Sequence, residues 1–393
     1  MDPTGPVAQR FPLVARPRPA CTPLDIRVAR LCTLAEAAER DADPATASAV
    51  HNQAALLASD IGLPDLARQW CHRHATVYLA ARPLAAQAAR HAIEPLVNLA
   101  RLRIRDGNGD AAFQLLDTLF AAISTRTDIV VDGIDVAAAD LATSAADHAE
   151  LRRWLWTVHL ADGTRALTSA GRWQDAHEHL RCRNGIGRLM LDGRQVAVIA
   201  SLTAGDTHTA QALLDATSAG DPWQDAVTAC LTVLCRHDAG RPTDQPITQM
   251  LQRHGRLNPA PNLSVFTTRL GLSVIDAAGG ADHPGARAIA ATLIHQALTF
   301  ADGYAARDLL AHEGSPAILT DVQRRDLVQV VEASGLGRHG IPARLSADLS
   351  AALTRSEAVI ARALTGRQDS AARSTPPFSS SRTLDPAGAT REV

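Results

Sequence analysis

The chain has 393 residues and a formal net charge of −2, with 39 basic and 41 acidic side chains. Every basic side chain is an arginine, because the sequence contains no lysine. P-loop ATPases, protein kinases and pyridoxal enzymes each need a lysine at the reacting group, so these three classes are disfavoured. The near-neutral charge provides no field that draws the protein to nucleic acid or to an anionic membrane, and no direct binding to either is expected.

The composition predicts an all-α fold. Hydrophobic residues make up 46% of the chain and aromatic residues 3%, and the prevalent alanine and leucine are strong helix formers. No apolar run approaches the roughly 18 residues of a membrane span, so a cytoplasmic protein is expected. The 6 cysteines show no spacing typical of paired zinc ligands, and neither a metal nor another cofactor is predicted.

The N-terminal residues 1–23 contain prolines and arginines but no helical periodicity. They are predicted to form a disordered arm. A first helix is predicted from Leu24 to about Asp41, with an apolar stripe formed by Ile26, Ala29, Leu31, Leu34 and Ala38. The next helix is predicted to begin at Pro44, with Asp43 as its N-cap, and to end at Gly62.

A short turn motif recurs four times, each time as a glycine followed five residues later by an alanine. The glycine permits the positive φ of a tight turn, and the alanine lets two helix axes approach closely. The last two copies are 34 residues apart, which is the period of the tetratricopeptide repeat. The four pairs are Gly62 and Ala67, Gly107 and Ala112, Gly171 and Ala176, and Gly205 and Ala210.

A longer interval separates the second and third motifs and contains the segment 128–136. In it, Asp132 and Gly133 separate two short apolar runs, which is the pattern of a β-hairpin with a type I′ turn. The insertion is interpreted either as an embellishment that packs on its neighbours or as a lid over a groove.

Beyond Ala216 the repeat motif fades, although helices continue. They are predicted over 222–239, 244–256, 262–278, 284–301, 303–313, 320–334 and 342–365. The predicted organisation is therefore an arm over 1–23, a repeat region over 24–217, a helical region that continues the stack over 218–365, and a disordered tail over 366–393.

Four segments around the turn glycines carry a resemblance to a known family. They are Asp60-x-Gly62-Leu63-Pro64-Asp65-Leu66-Ala67, Arg105-x-Gly107-x-Gly109-Asp110, Ala170-Gly171-Arg172-Trp173 and Ala204-Gly205-Asp206. The chain resembles tetratricopeptide-repeat-like proteins of actinobacteria. The resemblance implies a right-handed superhelix, or solenoid, of antiparallel helical hairpins that binds a protein or peptide on its concave face. In some members of the family the repeats are the sensory part of a transcription regulator, but no helix-turn-helix precedes the repeats here.

Five first-helix positions face the groove in the repeat register. Arginines at such positions can clamp a carboxylate by paired hydrogen bonds, which makes an acidic peptide a candidate ligand. The alternative is that these arginines pair with Asp106, Asp110 or Asp162 on neighbouring turns. The five positions are Asn52, Arg101, Arg105, Arg165 and Gln195.

Two tryptophans are a further candidate site. Trp154 and Trp156 project in different directions from one helix, so they either fill gaps between helices or form an aromatic platform for a ligand. The histidines of Cys71-His72-Arg73-His74 and His177-Glu178-His179 are two residues apart on helices. They point away from each other, and no metal site is predicted.

The sequence favours a non-catalytic scaffold or adaptor that binds a peptide or a protein. Two alternatives are a ligand-sensing regulator that acts through a separate DNA-binding partner, and an enzyme whose site is dispersed over a helical fold. The oligomeric state is not determined by the sequence.

Overall fold

The computed structural model describes the backbone of residues 1–373 and the side chains of residues 1–366. Within this part of the chain the fold is all-α apart from one two-stranded hairpin, as the composition predicts. No helix in the described part is long and apolar enough to cross a membrane.

The helices occur throughout the described chain, joined mostly by short turns. Their bounds are α1 Pro6–Gln9, α2 Leu24–Arg40, α3 Pro44–Ile61, α4 Pro64–Leu79, α5 Ala86–Arg105, α6 Gly109–Thr125, α7 Ala145–Ser169, α8 Trp173–Arg181, α9 Asp192–Thr203, α10 Thr207–Asp215, α11 Pro222–Asp238, α12 Asp244–His254, α13 Ser264–Ala277, α14 Pro284–Thr299, α15 Gly303–Leu310, α16 Ser315–Ile318, α17 Asp321–Ser334 and α18 Ala343–Arg373.

The four predicted glycine turns are present. The turn glycines have φ values of 87°, 77°, 73° and 78°, in chain order, and the four alanines that follow them are all fully buried. Each turn joins two helices that pack on each other: α3 on α4, α5 on α6, α7 on α8, and α9 on α10. The start of α3 also follows the prediction, because the Asp43 side chain accepts a hydrogen bond from the Ala45 backbone at 2.9 Å.

The predicted β-hairpin is confirmed. Strands β1 (Ile129–Val131) and β2 (Ile134–Val136) pair antiparallel, with Ile129 opposite Val136. Asp132 and Gly133 both have positive φ, at 54° and 86°, as a type I′ turn requires.

The hairpin is held against its neighbours by its turn. The Asp132 carboxylate accepts hydrogen bonds from Arg68 at 2.5 Å and from Arg103 at 3.3 Å, and contacts the His72 ring at 2.8 Å. These partners lie on α4 and α5. These contacts agree with the interpretation of the insertion as an embellishment that packs on its neighbours.

Two clusters of buried apolar side chains form the core. The first is contributed by α2 to α7, the hairpin and α18, and the second by the N-terminal segment and α7 to α17. Helix α7 contributes Leu151 and Leu155 to the first cluster and Leu167 to the second. The division between the two cores therefore lies within one helix.

The last helix returns to the first ones. Helix α18 packs on α2, α3 and α4, and Leu353 is buried there. The segment before it is fastened to the end of α3, because Gly337 donates its backbone N–H to the Asp60 carbonyl at 2.9 Å and His339 donates to Ile61 at 2.7 Å. Helix α18 also extends past the predicted boundary at residue 365, and the remainder of the predicted tail, 374–393, lies outside the described residues.

The N-terminal segment, residues 1–21, differs from the predicted disordered arm. It is packed between helices, with Ala8, Phe11 and Leu13 only 0%, 4% and 3% exposed. Apart from the short α1 the segment is not helical. Its apolar residues have no helical spacing because most of the segment is irregular.

Candidate functional site

The N-terminal segment crosses the ends and faces of several helices, and its most complete contact is with Gln195 of α9. The Gln195 side chain is fully buried. It accepts a hydrogen bond from the Leu13 backbone nitrogen at 2.6 Å and donates one to the Leu13 carbonyl at 2.7 Å. A third bond to the Met190 carbonyl, at 3.2 Å, fixes the orientation of the amide. The amide therefore satisfies both backbone polar groups of Leu13, as a neighbouring strand would.

Further contacts recognise the backbone of the same segment. The indole of the buried Trp173 donates to the Pro3 carbonyl at 2.9 Å. The Arg18 backbone nitrogen donates to the Asn262 carbonyl at 2.8 Å. The partners lie on α8 and just before α13, so the segment spans from one part of the second core to another.

Ion pairs hold the polar side chains of the segment. Arg10 pairs with Asp276 of α13, and its Nε donates to Ser273 at 3.1 Å. Arg16 pairs with Asp192 at the start of α9. The N-terminal ammonium lies 3.0 Å from a carboxylate oxygen of α11. The segment is thus bound through its backbone, its apolar side chains and its charges.

Four of the five predicted groove residues take part in buried or half-buried networks. Asn98 donates to Asn52 at 2.9 Å, and Arg101 donates to Asn98 at 2.9 Å and to Asp162 at 2.8 Å. The alternative that the sequence left open for Arg101, pairing with Asp162, is therefore the observed one. Gln195 has the separate role described above.

Arg105 joins a different network around Asp60, whose side chain is fully buried at the end of α3. The Asp60 carboxylate pairs with Arg27 and Arg105 and accepts a hydrogen bond from the Tyr304 hydroxyl at 2.6 Å. Burial is the largest single effect on both arginines and lowers the pKa, but the Asp60 charge, the hydrogen bond to Asp60 and the neighbouring Tyr304 together outweigh it, so the pKa of each is raised. Helices α2, α3, α5 and α15 therefore meet at one carboxylate.

Arg165 differs from the other predicted residues, because its side chain forms no hydrogen bond or ion pair within the described residues. Arg18 of the N-terminal segment shares this property. Both side chains are solvent-exposed, yet desolvation by the surrounding protein lowers the pKa of each, that of Arg18 to about 10.

The two tryptophans do not form a shared platform. Trp154 is half-buried against the first core, and the Arg90 guanidinium lies over its ring at 5.2 Å from the centroid. Trp156 is 38% exposed on another side of α7. Trp154 therefore stacks with a residue of the chain itself.

A cavity of about 330 Å³ lies between α1 and the second core, lined among others by Val7, Leu272 and His312. The His312 ring contacts Asp276 at 2.9 Å through Nε2 and accepts the Gly314 backbone N–H at 3.2 Å through Nδ1. Both ring nitrogens are therefore engaged, and neither is free to act as a base at this cavity.

The remaining histidines do not converge on an ion. Among the described residues no group of three His, Cys, Asp or Glu side chains has the geometry of a metal site. His74, from the first candidate motif, is buried and stacks on His51 with ring centroids 4.9 Å apart. His179, from the second, packs against the His159 ring at 5.0 Å.

Sequence reasoning missed the partners that the N-terminal segment supplies. Leu13 and Arg18 lie in a proline-rich stretch, and no periodic signal marks them. Trp173 was noted only as a residue beside a turn. Its indole N–H, which needs an acceptor when buried, is the one feature that could have indicated a bound chain.

Comparisons of the chain with protein-family models, with curated proteins and with solved structures gave no match.

Proposed function

We propose that the protein is a non-catalytic cytoplasmic scaffold whose helices form a tetratricopeptide-like superhelix and bind an extended peptide segment of a partner. The binding face is the one on which residues 1–21 lie, formed by α7, α8, α9 and α13. The observation that carries the proposal is the double hydrogen bond between the Gln195 amide and the Leu13 backbone.

The contacts of this face suit a peptide ligand. Hydrogen bonds to backbone groups contribute affinity for any extended peptide, whatever its sequence. Apolar sites then select among peptides by their side chains. Phe11 and Leu13 occupy two such sites in the second core. A partner segment is expected to place large apolar residues two positions apart, as the N-terminal segment does.

The N-terminal segment acts as an internal occupant of this face. A tethered ligand competes at an effective concentration on the order of millimolar, so an external peptide must bind well to displace it. Weakening the internal segment, without changing the face, is therefore expected to increase the affinity for an external peptide.

The test uses the full chain with Phe11→Ala, which removes a buried side chain of the internal segment and leaves every helix unchanged. A fluorescent peptide that copies residues 1–20, with its own Phe11, is titrated and followed by anisotropy. The Phe11→Ala chain is expected to bind the peptide at least about tenfold more tightly than the parent chain, because truncating a buried Phe costs about 3 kcal/mol or more.

The matched controls are Gln195→Ala and Gln252→Ala, each combined with Phe11→Ala. Gln195 lies on the proposed face, whereas Gln252 is exposed on α12. Only Gln195→Ala is expected to weaken the binding of the peptide to the Phe11→Ala chain. Binding that is equal in all chains, or absent from the Phe11→Ala chain, would refute the proposal.

A further inference from the structure

The cavity of about 330 Å³ lies where the N-terminal segment meets the second core. Its volume falls within the range of small-ligand pockets, roughly 300 to 1,000 Å³. One wall is formed by Val7 of α1 and by Arg10, and another by Leu272 and Asp276 of α13. Glu313, in the turn after α15, also lines the cavity. A molecule in this cavity would therefore contact three parts of the chain that are distant in the sequence.

Two arginines line the cavity and retain donors without a partner. Arg269 donates its Nε to Asp308 at 2.9 Å, and neither of its Nη atoms has a hydrogen-bond partner among the described residues. Arg10 donates its Nε to Ser273 and one Nη to Asp276, which leaves its other Nη without a described partner. A guanidinium group with free Nη atoms can bind both oxygens of a carboxylate. The Nη atoms of Arg269 are therefore suited to a ligand carboxylate.

Glu313 offers the opposite charge. Unlike the other carboxylates that line the cavity, it is exposed and has neither a hydrogen bond nor an ion pair within the described part of the chain. The turn that carries it is held on both sides, because Gly314 donates its backbone N–H to His312 Nδ1 at 3.2 Å and Ser315 donates its own to the His312 carbonyl at 2.9 Å. An unpaired carboxylate in such a turn is suited to an ammonium group.

The charges of the lining residues and their direct partners balance. Arg307 does not line the cavity, but it pairs with Asp308 at 3.2 Å and belongs to the balance. His312 is neutral, because its Nδ1 is an acceptor. Arg18 lies further away, within electrostatic range of Arg269, and makes that side more positive. The balance is between Arg10, Arg269 and Arg307 on one hand and Asp276, Asp308 and Glu313 on the other.

From this arrangement we infer that the cavity binds a small amino acid with an apolar body. The ligand carboxylate lies on the Nη atoms of Arg269, its ammonium group faces Glu313, and its apolar body packs against Val7 and Leu272. At about 30 Å³ for each water-sized group, the volume has room for about ten such groups, which is the size of leucine or one of its isomers. A zwitterion leaves the charge balance of the cavity unchanged, whereas an ion of one sign does not.

This site goes beyond the proposed peptide binding and does not depend on it. Because α1 forms one wall, a bound ligand would join the N-terminal segment to α13 and favour the docked segment. The amino-acid titration contains no peptide, and the peptide titration contains no amino acid. Failure of one proposal is therefore seen separately from failure of the other.

The experiment is calorimetric titration of the full chain at pH 7.5 and constant ionic strength. The probes are leucine, its isomer ε-aminocaproate, isocaproate, which lacks the ammonium group of leucine, and isopentylamine, which lacks the carboxylate. The variants are Arg269→Gln and Glu313→Gln. Their matched controls are Arg153→Gln and Glu150→Gln, because both residues are exposed on α7 and neither has an ion pair among the described residues. Thermal unfolding without ligand checks that each variant folds.

We expect saturable binding of leucine or ε-aminocaproate, and binding at least about tenfold weaker for isocaproate and isopentylamine. The isomer that binds more tightly identifies the spacing of the two charged groups in the ligand. Arg269→Gln and Glu313→Gln should each weaken the zwitterion at least about tenfold, since each removes a charge-assisted contact, and the controls should leave its affinity unchanged. The bound zwitterion should also slow tryptic cleavage of Arg10–Phe11, because it stabilises the docked segment.

Four results would overturn the inference. They are absent or unsaturable binding of both isomers, equal binding of either probe that carries a single charge, full affinity retained by Arg269→Gln or Glu313→Gln, and binding that leaves the cleavage rate of Arg10–Phe11 unchanged. The last of these would place the ligand outside the cavity that α1 closes.

Discussion

Gln195 and Leu13 are 182 positions apart in the sequence, and the side chain of one forms both hydrogen bonds with the backbone of the other. A buried amide that lost this partner would leave a donor and an acceptor unsatisfied, at a cost of about 1 to 3 kcal/mol each. The N-terminal segment is therefore part of the folded structure, and the face beneath it presents side chains that pair with backbone groups.

The first prediction concerns protection of the N-terminal segment from trypsin. Arg10–Phe11 is the only bond of residues 1–21 that trypsin is expected to cut readily, since Arg16 and Arg18 precede prolines. It should be cleaved only when the segment opens, and Gln195→Ala should raise the cleavage rate about tenfold or more by destabilising the docked state. Mass spectrometry of timed digests measures this rate, and Gln252→Ala serves as the control. Rapid cleavage in the parent chain would contradict the packed segment.

The second prediction concerns the carboxylate at which four helices meet. Asp60→Asn keeps the volume of the side chain but leaves Arg27 and Arg105 without their charge partner, and it should destabilise the protein by about 3 kcal/mol. Asp65→Asn, on the exposed start of α4, should cost less than about 0.5 kcal/mol. Urea unfolding measures both values. Equal values for the two variants would show that the Asp60 network contributes no special stability.

A third prediction compares the cost of positive φ at a turn glycine with the cost of losing the contact between that turn and the segment before α18. Gly62→Ala and Gly107→Ala both place a side chain at positive φ, which costs about 1 kcal/mol. At Gly107 an added methyl meets no atom within 4 Å, whereas at Gly62 it would lie 2.7 Å from the His339 ring. Gly62→Ala should therefore be the more destabilising by about 1 kcal/mol or more, and thermal or urea unfolding will measure the difference. If the two costs are equal, the contact that fastens the segment before α18 is not formed.

A fourth prediction concerns acid stability. Desolvation lowers the pKa of the buried His51 to about 4, with Arg73 as a smaller cause, and burial also lowers the pKa of His74 well below its usual value. Between pH 6.5 and 4 the unfolded chain binds protons that the folded chain does not, so stability is complete above pH 6.5 and falls as the pH falls through this window. The shift of His51 alone corresponds to a loss on the order of 3 kcal/mol.

The test of acid stability is His51→Leu, with His295→Leu as the exposed control. Unfolding free energies at pH 4.5 and pH 7 should differ less in His51→Leu than in the parent chain, and the control should keep the parent's difference. An unchanged difference in His51→Leu would assign the acid sensitivity to other groups.

Local features were largely predictable from the sequence. The turns at Gly62 and Gly107 require positive φ, which the residue type itself permits, and the Asp-Gly hairpin follows from the same physics. The bounds of α3 follow from its capping residues and proline. Each of these signals operates over a few neighbouring residues, so one sequence is sufficient to detect it.

Long-range features were not predictable. The sequence predicts Ile26 on the buried stripe of α2, but Ile26 is 43% exposed and Val28 is buried. The buried face of α2 depends on α18, which packs on it from the far end of the chain. The N-terminal segment is a similar case, since the acceptors and donors that order it lie on Trp173 and Gln195.

The same distinction applies to the candidate site. The repeat register predicts Arg101 and Arg165 on one face of the helices. Whether each arginine forms an ion pair depends on the positions of side chains from other helices, which the spacing of residues in the sequence does not determine. Arg101 pairs with Asp162, and Arg165 does not pair within the described chain.

The most direct test of the peptide-binding account is a comparison of two peptides on the Phe11→Ala chain. One copies residues 1–20, and the other has an ester in place of the amide N–H of Leu13, which removes the donor to Gln195 and also weakens the Pro12 carbonyl as an acceptor. The account predicts that the ester binds about tenfold more weakly, and that Gln195→Ala largely abolishes the difference between the two peptides. Equal binding of amide and ester to the chain that retains Gln195 would contradict backbone recognition by this face.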